Sequence, residues 1–121
     1  MLTEDGGVQK KILDQGIEGK KPKVGDIIEA HYIGKLTDGT VFDTSQKRGK
    51  PIKIEIGVGK VVRGWDIAIT EMNLGEVAGL IVVPEYGYGS RGKGEMVPPD
   101  STMLFLVQLV SINGESFEEN Q

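Results

Sequence analysis

The sequence predicts an α+β domain, an antiparallel sheet of about five strands with one short helix packed on a single face. Three observations lead there. Apolar residues alternate with a period of two in several segments. An Asp-Gly pair sits between two apolar runs, a strong hairpin signal. Helical spacing occurs once, around Trp65.

The elements follow in chain order. Val8 to Leu13 has strand-like residues, and "DQGIEGKKPKVGD" after it reads as a loop. Asp26 to Leu36 alternates, with Ile28, Ala30 and Tyr32 on one face. Thr37 to Thr40, "TDGT", turns the chain, and "VFD" is the returning strand. The polar run "TSQKRGKP" interrupts that strand, and alternation resumes at Ile52, Ile54 and Ile56. The turn-rich "GVGKVVRG" leads into a helix that runs to about Met72. Asp66 falls in its first turn, where a carboxylate complements the helix dipole. Gly75 is placed to be its C′ residue. Glu76 to Val83 is a strand, and Pro84 to Ser101 is a long Gly- and Pro-rich loop. Loops of that length in compact domains usually serve a function. Thr102 to Ile112 is the longest and most apolar strand, and the sheet's expected centre. The expected organisation is one domain over residues 1–112 and a polar tail or linker stub over 113–121.

Composition narrows the function. A chain of 121 residues can bury roughly two thirds of its unfolded surface. It contains no cysteine, which removes disulfides, thiolate nucleophiles and zinc–sulfur sites, and suits a reducing compartment. Neither a signal-peptide pattern nor a membrane-length apolar run is visible, so the cytoplasm is the expected location. The net charge of −4 argues against a nucleic-acid partner. The 18 glycines punctuate turns. His31 is the sole histidine, set mid-strand, and no serine lies in a nucleophile elbow. It reads as a buried, hydrogen-bonded strand residue. No metal or cofactor is expected, because ligand-type residues do not cluster. Rings stand out instead, at the edges of the segments: Tyr32, Phe42, Trp65, Tyr88 and Phe105. A ring-lined cavity with few polar groups suits an apolar or proline-like ligand. Trp65 can be a core plug or the floor of such a cavity.

Four motifs in order carry a resemblance: "AHYIGKLTDGTVFDTS" (Ala30 to Ser45), "GVGKVVRGWD", "YGYG" (Tyr86 to Gly89) and "VPPDSTMLFLVQL". Over Val8 to Ile112 the chain resembles the FK506-binding-protein family of peptidyl-prolyl cis–trans isomerases. The resemblance implies a bent antiparallel sheet of five or six strands wrapped around one short helix. It makes Trp65 the pocket floor and gives catalytic places to Tyr32, Phe42, Asp43, Tyr88 and Phe105. It assigns Arg48, Ile52, Lys60, Val61, Val62, Met96 and Val97 to substrate or macrolide binding. Val62 N–H and the Tyr88 hydroxyl would each donate to a ligand carbonyl, and Asp43 would be tied to Tyr32 and Arg48. The implied partners are proline-containing peptides and proteins, and macrolides such as tacrolimus and rapamycin. A monomer is expected, with neither nucleic acid nor membrane as partner. The chain departs from the family pattern at Ile52, often Phe, at Lys60, often Glu or Gln, and at Lys93 and Met96 in the long loop. The alternative reading is a proline-segment binding module without turnover.

Overall fold

A computed structural model describes residues 2–116, apart from the Arg48 side chain. The strands are β1 (Val8–Asp14), β2 (Ile27–Leu36), β3 (Val41–Thr44), β4 (Ile52–Glu55), β5 (Val77–Val82), β6 (Met103–Ile112) and β7 (Glu115–Ser116). One α-helix, α1 (Arg63–Ile69), stands between β4 and β5. The strands form a single antiparallel sheet in the order β1-β5-β6-β2-β3, with β4 also on β2 and β7 on β6. β3 pairs with Ile33–Lys35 of β2, and β4 with Ile27–Ala30. They therefore fill one sheet position, split by a 3₁₀ turn at Ser45–Arg48. The polar run "TSQKRGKP" is that excursion.

Local chemistry sets each turn. At Asp38-Gly39 the Leu36 N–H donates to Thr40 O (2.8 Å), and Gly39 takes φ 92°. Alternation then sends one set of side chains inward. Ile28, Ala30 and Tyr32 of β2, Ala78, Leu80 and Val82 of β5, and Met103, Phe105, Val107 and Leu109 of β6 are all buried. α1 lies across this face and buries Gly64, Trp65, Ala68 and Ile69. A Cβ on Gly64 would sit 2.6 Å from Val82 Cγ1, so glycine lets the helix reach the sheet. A helix of seven residues is too short to persist alone, and packing holds it.

The structure changes three expectations. The helix ends at Ile69, not Met72. Glu71 and Met72 continue with i→i−3 bonds to Ala68 O and Ile69 O, which keeps Met72 in the buried register. Gly75 (φ 86°) is consequently not the helix C′ residue. It turns the chain into β5, and its N–H donates to Leu109 O (2.7 Å). His31 is exposed rather than buried, because it points away from the core between Ala30 and Tyr32; its Nδ1 lies 3.1 Å from Ser45 Oγ. The polar stretch after Ile112 turns at Asn113-Gly114 into β7, which folds back on β6, and residues 117–121 lie outside the described residues.

Candidate active site

Between the inner face of the sheet and α1 opens a cavity of about 220 Å³. It brings together ten of the residues singled out from sequence: Tyr32, Phe42, Asp43, Ile52, Lys60, Val61, Val62, Trp65, Tyr88 and Phe105. Lys93 joins them. Three ring pairs meet edge to face. Tyr32 and Trp65 have centroids 5.0 Å apart, Trp65 and Phe105 5.4 Å, and Phe42 and Phe105 5.7 Å. Each ring comes from a different element: Tyr32 from β2, Phe42 from β3, Trp65 from the first turn of α1 and Phe105 from β6. Trp65 is only 4% exposed, so it is both core plug and cavity lining. Among the described residues its buried Nε1 has no hydrogen-bond partner.

The polar groups are few. The Tyr32 hydroxyl donates to Asp43 Oδ2 (2.6 Å), and the Thr44 N–H donates to Asp43 Oδ1 (2.9 Å). Val62 precedes α1, and its carbonyl accepts from the Trp65 N–H (2.9 Å). Among the described residues its own N–H donates to no backbone carbonyl. Tyr88 stands in the long loop with Lys93 Nζ 5.2 Å over its ring and 3.5 Å from its hydroxyl. Lys60 is paired with Glu55 (2.9 Å), which neutralises it at the rim.

Two loops carry these groups, and each has an anchor. Asp66 Oδ1 accepts from the Gly57 N–H (2.7 Å) and Oδ2 from the Gly59 N–H (2.9 Å). Both glycines have positive φ, 83° and 81°. This carboxylate holds the loop bearing Lys60, Val61 and Val62, beyond its expected role toward the helix dipole. The long loop is anchored at Tyr86. Its hydroxyl donates to Asp5 Oδ2 (2.9 Å), and the Arg63 guanidinium lies 4.8 Å over its ring. Hydrogen bonds from the Thr3 hydroxyl, the Gly7 N–H and the Tyr86 hydroxyl hold the Asp5 carboxyl below its ordinary range. The bond to Asp5 pushes the Tyr86 phenol up.

Two of the sequence-selected residues, Val97 and Met96, are not among those lining the cavity. Val97 is buried in the core, where its backbone bridges Lys93 in both directions (2.7 and 3.2 Å). Met96 is 47% exposed. They build the loop beneath Lys93. The Arg48 side chain lies outside the described part of the structure. Gly34 was missed from sequence. A Cβ there would sit 2.7 Å from Phe42 Cζ and 3.0 Å from Phe105 Cε1, so its absence lets these rings meet. The available signal was a glycine inside a strand pattern, which marks close approach.

Comparisons with known proteins agree with the fold. The family model of the FKBP-type peptidyl-prolyl cis-trans isomerases matches residues 18–110. A peptidyl-prolyl cis-trans isomerase of Schizosaccharomyces pombe is 49% identical over 107 residues, 88% of this chain and 96% of that protein. FK506-binding protein 1A of Aspergillus fumigatus is 44% identical over 109 residues, 90% of this chain and 97% of that protein. The crystal structure of AtFKBP13 superposes with a TM-score of 0.80 at 38% identity, covering 87% of this chain and 92% of that one. With fold, motifs and relatives in agreement over most of its length, the chain belongs to the FKBP-type peptidyl-prolyl cis-trans isomerases.

Proposed function

We propose that this isomerase turns over prolyl bonds in the cavity above Trp65. The carrying observation is the set of edge-to-face rings closed by one hydroxyl, Tyr88, and one backbone amide, Val62 N–H. Rotation about X-Pro is slow because amide resonance must be broken, at a barrier of about 18–20 kcal/mol. In the transition state the nitrogen turns pyramidal and the carbonyl loses charge separation. A dry, ring-lined site favours this less polar form without a nucleophile or a base. A rate gain of about 10⁵ requires about 7 kcal/mol of such preference.

Trp65 is the floor of the substrate site, and Tyr32, Phe42 and Phe105 are its walls. Val62 N–H and the Tyr88 hydroxyl each hold a substrate carbonyl. Asp43, oriented by Tyr32 and Thr44, accepts from a substrate donor, with Arg48 as its further partner. Val61 and Ile52 give apolar lining, and Met96 and Val97 shape the loop that borders the site. Macrolides such as tacrolimus and rapamycin occupy the same cavity, a reading supported by relatives named for FK506 binding. The proposed setting is a cytoplasmic monomer acting on proline-containing proteins. Among the described residues no helix is long and apolar enough to cross a membrane.

The test is NMR exchange spectroscopy on a short Leu-Pro peptide with a trace of the protein, before and after rapamycin. Uncatalysed exchange takes tens of seconds or more, so catalysis appears as new cis–trans cross-peaks. Cross-peaks that rapamycin abolishes are expected. Cross-peaks that survive saturating drug would separate the turnover site from the macrolide site.

A further inference from the structure

The face of the sheet turned away from α1 has a pattern of its own. Apolar side chains stand at outward positions on three adjacent strands, Ile33 on β2, Val77 and Ile81 on β5, Leu104 and Leu106 on β6, beside the polar His31 and Gln108. Ile81 and Leu106 are 40% and 41% exposed. Cross-strand register places Gly79 beside Leu106, and a Cβ on Gly79 would meet nothing within 4 Å. Two hollows open on this face. One of about 400 Å³ lies across β1, β5 and β6, and one of about 320 Å³ across β5, β6 and β2. A contiguous apolar patch rimmed by polar side chains marks an interaction site.

Charge decides what fits. Lys11 stands opposite Gly79 on one side, and Lys35 stands opposite Leu104 on the other. No ion pair among the described residues engages either lysine. No carboxylate lines either hollow. Asp14, in register with Val77, uses its Oδ1 to accept from the Gly16 N–H (3.2 Å). A chain of net charge −4 thus presents an apolar face bordered by lysines. Two copies set face to face would gather four uncompensated lysines. Two concave hollows of about 320 and 400 Å³ suit protruding side chains better than a flat lipid surface.

We propose that this outer face docks a segment of another protein. The segment's apolar side chains fill the two hollows, and its flanking carboxylates meet Lys11 and Lys35. The ring-lined cavity on the opposite face stays open, so the chain can hold a partner and turn over a prolyl bond at once.

The test selects random displayed peptides of about a dozen residues against the full chain, with the Leu106→Asp variant as counter-target. Enriched peptides are then titrated into ¹⁵N-labelled protein. The proposal expects apolar sequences flanked by Asp or Glu, which shift the amides of Val77, Ile81 and Leu106 but not that of Trp65. Their affinity falls about tenfold or more in a Lys11→Glu, Lys35→Glu double variant, and falls with salt. Both lysines are exposed, so this variant carries the test should Leu106→Asp not fold. Isomerase turnover stays at the parent level in the double variant. The proposal is overturned by no enrichment, by enriched peptides without acidic residues, or by peptides seated only at Trp65. It is equally overturned by a concentration-dependent dimer that the double variant abolishes, or by binding to phosphatidylserine vesicles in place of peptide.

Discussion

Gly34→Ala tests the physical basis of the cavity with a single methyl group. The built Cβ lies 2.7 Å from Phe42 Cζ and 3.0 Å from both Phe42 Cε1 and Phe105 Cε1. Carbon atoms in contact prefer about 3.5–4.0 Å, so a ring must move by about 1 Å. Neither ring is free to do so, since Phe42 and Phe105 are 7% and 6% exposed and Phe105 also packs on Trp65. Overpacking of this kind costs about 1–3 kcal/mol. Gly34 is not among the glycines with positive φ, so alanine adds no backbone strain. Its smaller unfolded-state entropy returns about 0.4–1 kcal/mol. The net expectation is a loss of about 1–2 kcal/mol by urea unfolding. Misplacement of the walls by about 1 Å should lower kcat/KM by as much as ~10²-fold in the exchange assay. Gly79→Ala is the matched control, because that Cβ enters open space; it should be neutral or stabilising, with turnover intact. A Gly34→Ala protein as stable and as active as the parent would refute the claim that this glycine sets the ring spacing.

Other outcomes follow from the same contacts. Asp43→Leu removes the acceptor of the Tyr32 hydroxyl and is expected to lower kcat/KM several-fold with the fold intact by circular dichroism; unchanged turnover would make Asp43 a purely structural acceptor. Glu76→Ala removes the fully buried carboxylate 2.9 Å from the Lys10 ammonium and leaves it, among the described residues, only the Glu71 carbonyl (2.6 Å). Breaking such a pair costs about 3–5 kcal/mol, so the urea midpoint should drop sharply while activity per folded molecule persists. Asp5 titrates below its unfolded value, so its stabilisation is complete above about 3.9 and is lost as pH falls through the folded pKa. Tyr86 titrates above its unfolded value, so its share is complete below about 10 and is lost as pH rises through the folded pKa. The protection factor of the Gly7 amide should fall at both extremes, and Asp5→Asn should flatten the acid limb.

Much of this was legible because alternation is a direct consequence of the pleat. Ile28, Ala30 and Tyr32 announce an inward face, and β6 announces itself by length and apolarity. The five ring positions were legible through motif order, and they do converge on one cavity. Sheet order was not, because nothing local tells β5 to lie between β1 and β6. The helix end was misplaced because i→i−3 turns extend the apolar spacing to Met72. Val97 and Met96 could not be told apart by type. The backbone bridge at Lys93 turns one into the core and the other to solvent. Gly34 gives only the general signal of a glycine inside a strand pattern, because its contribution is space.

The double grip of Asp66 on Gly57 and Gly59 has an evolutionary corollary. What holds the stretch before α1 is a carboxylate on two backbone amides, and α1 has no side-chain N-cap of its own. Amides are common to nearly every residue type, so the identities of Lys60, Val61 and Val62 do not enter the fastening. Substitutions along that wall can accumulate at little cost to folding, and ligand preference can drift there while the scaffold is inherited unchanged.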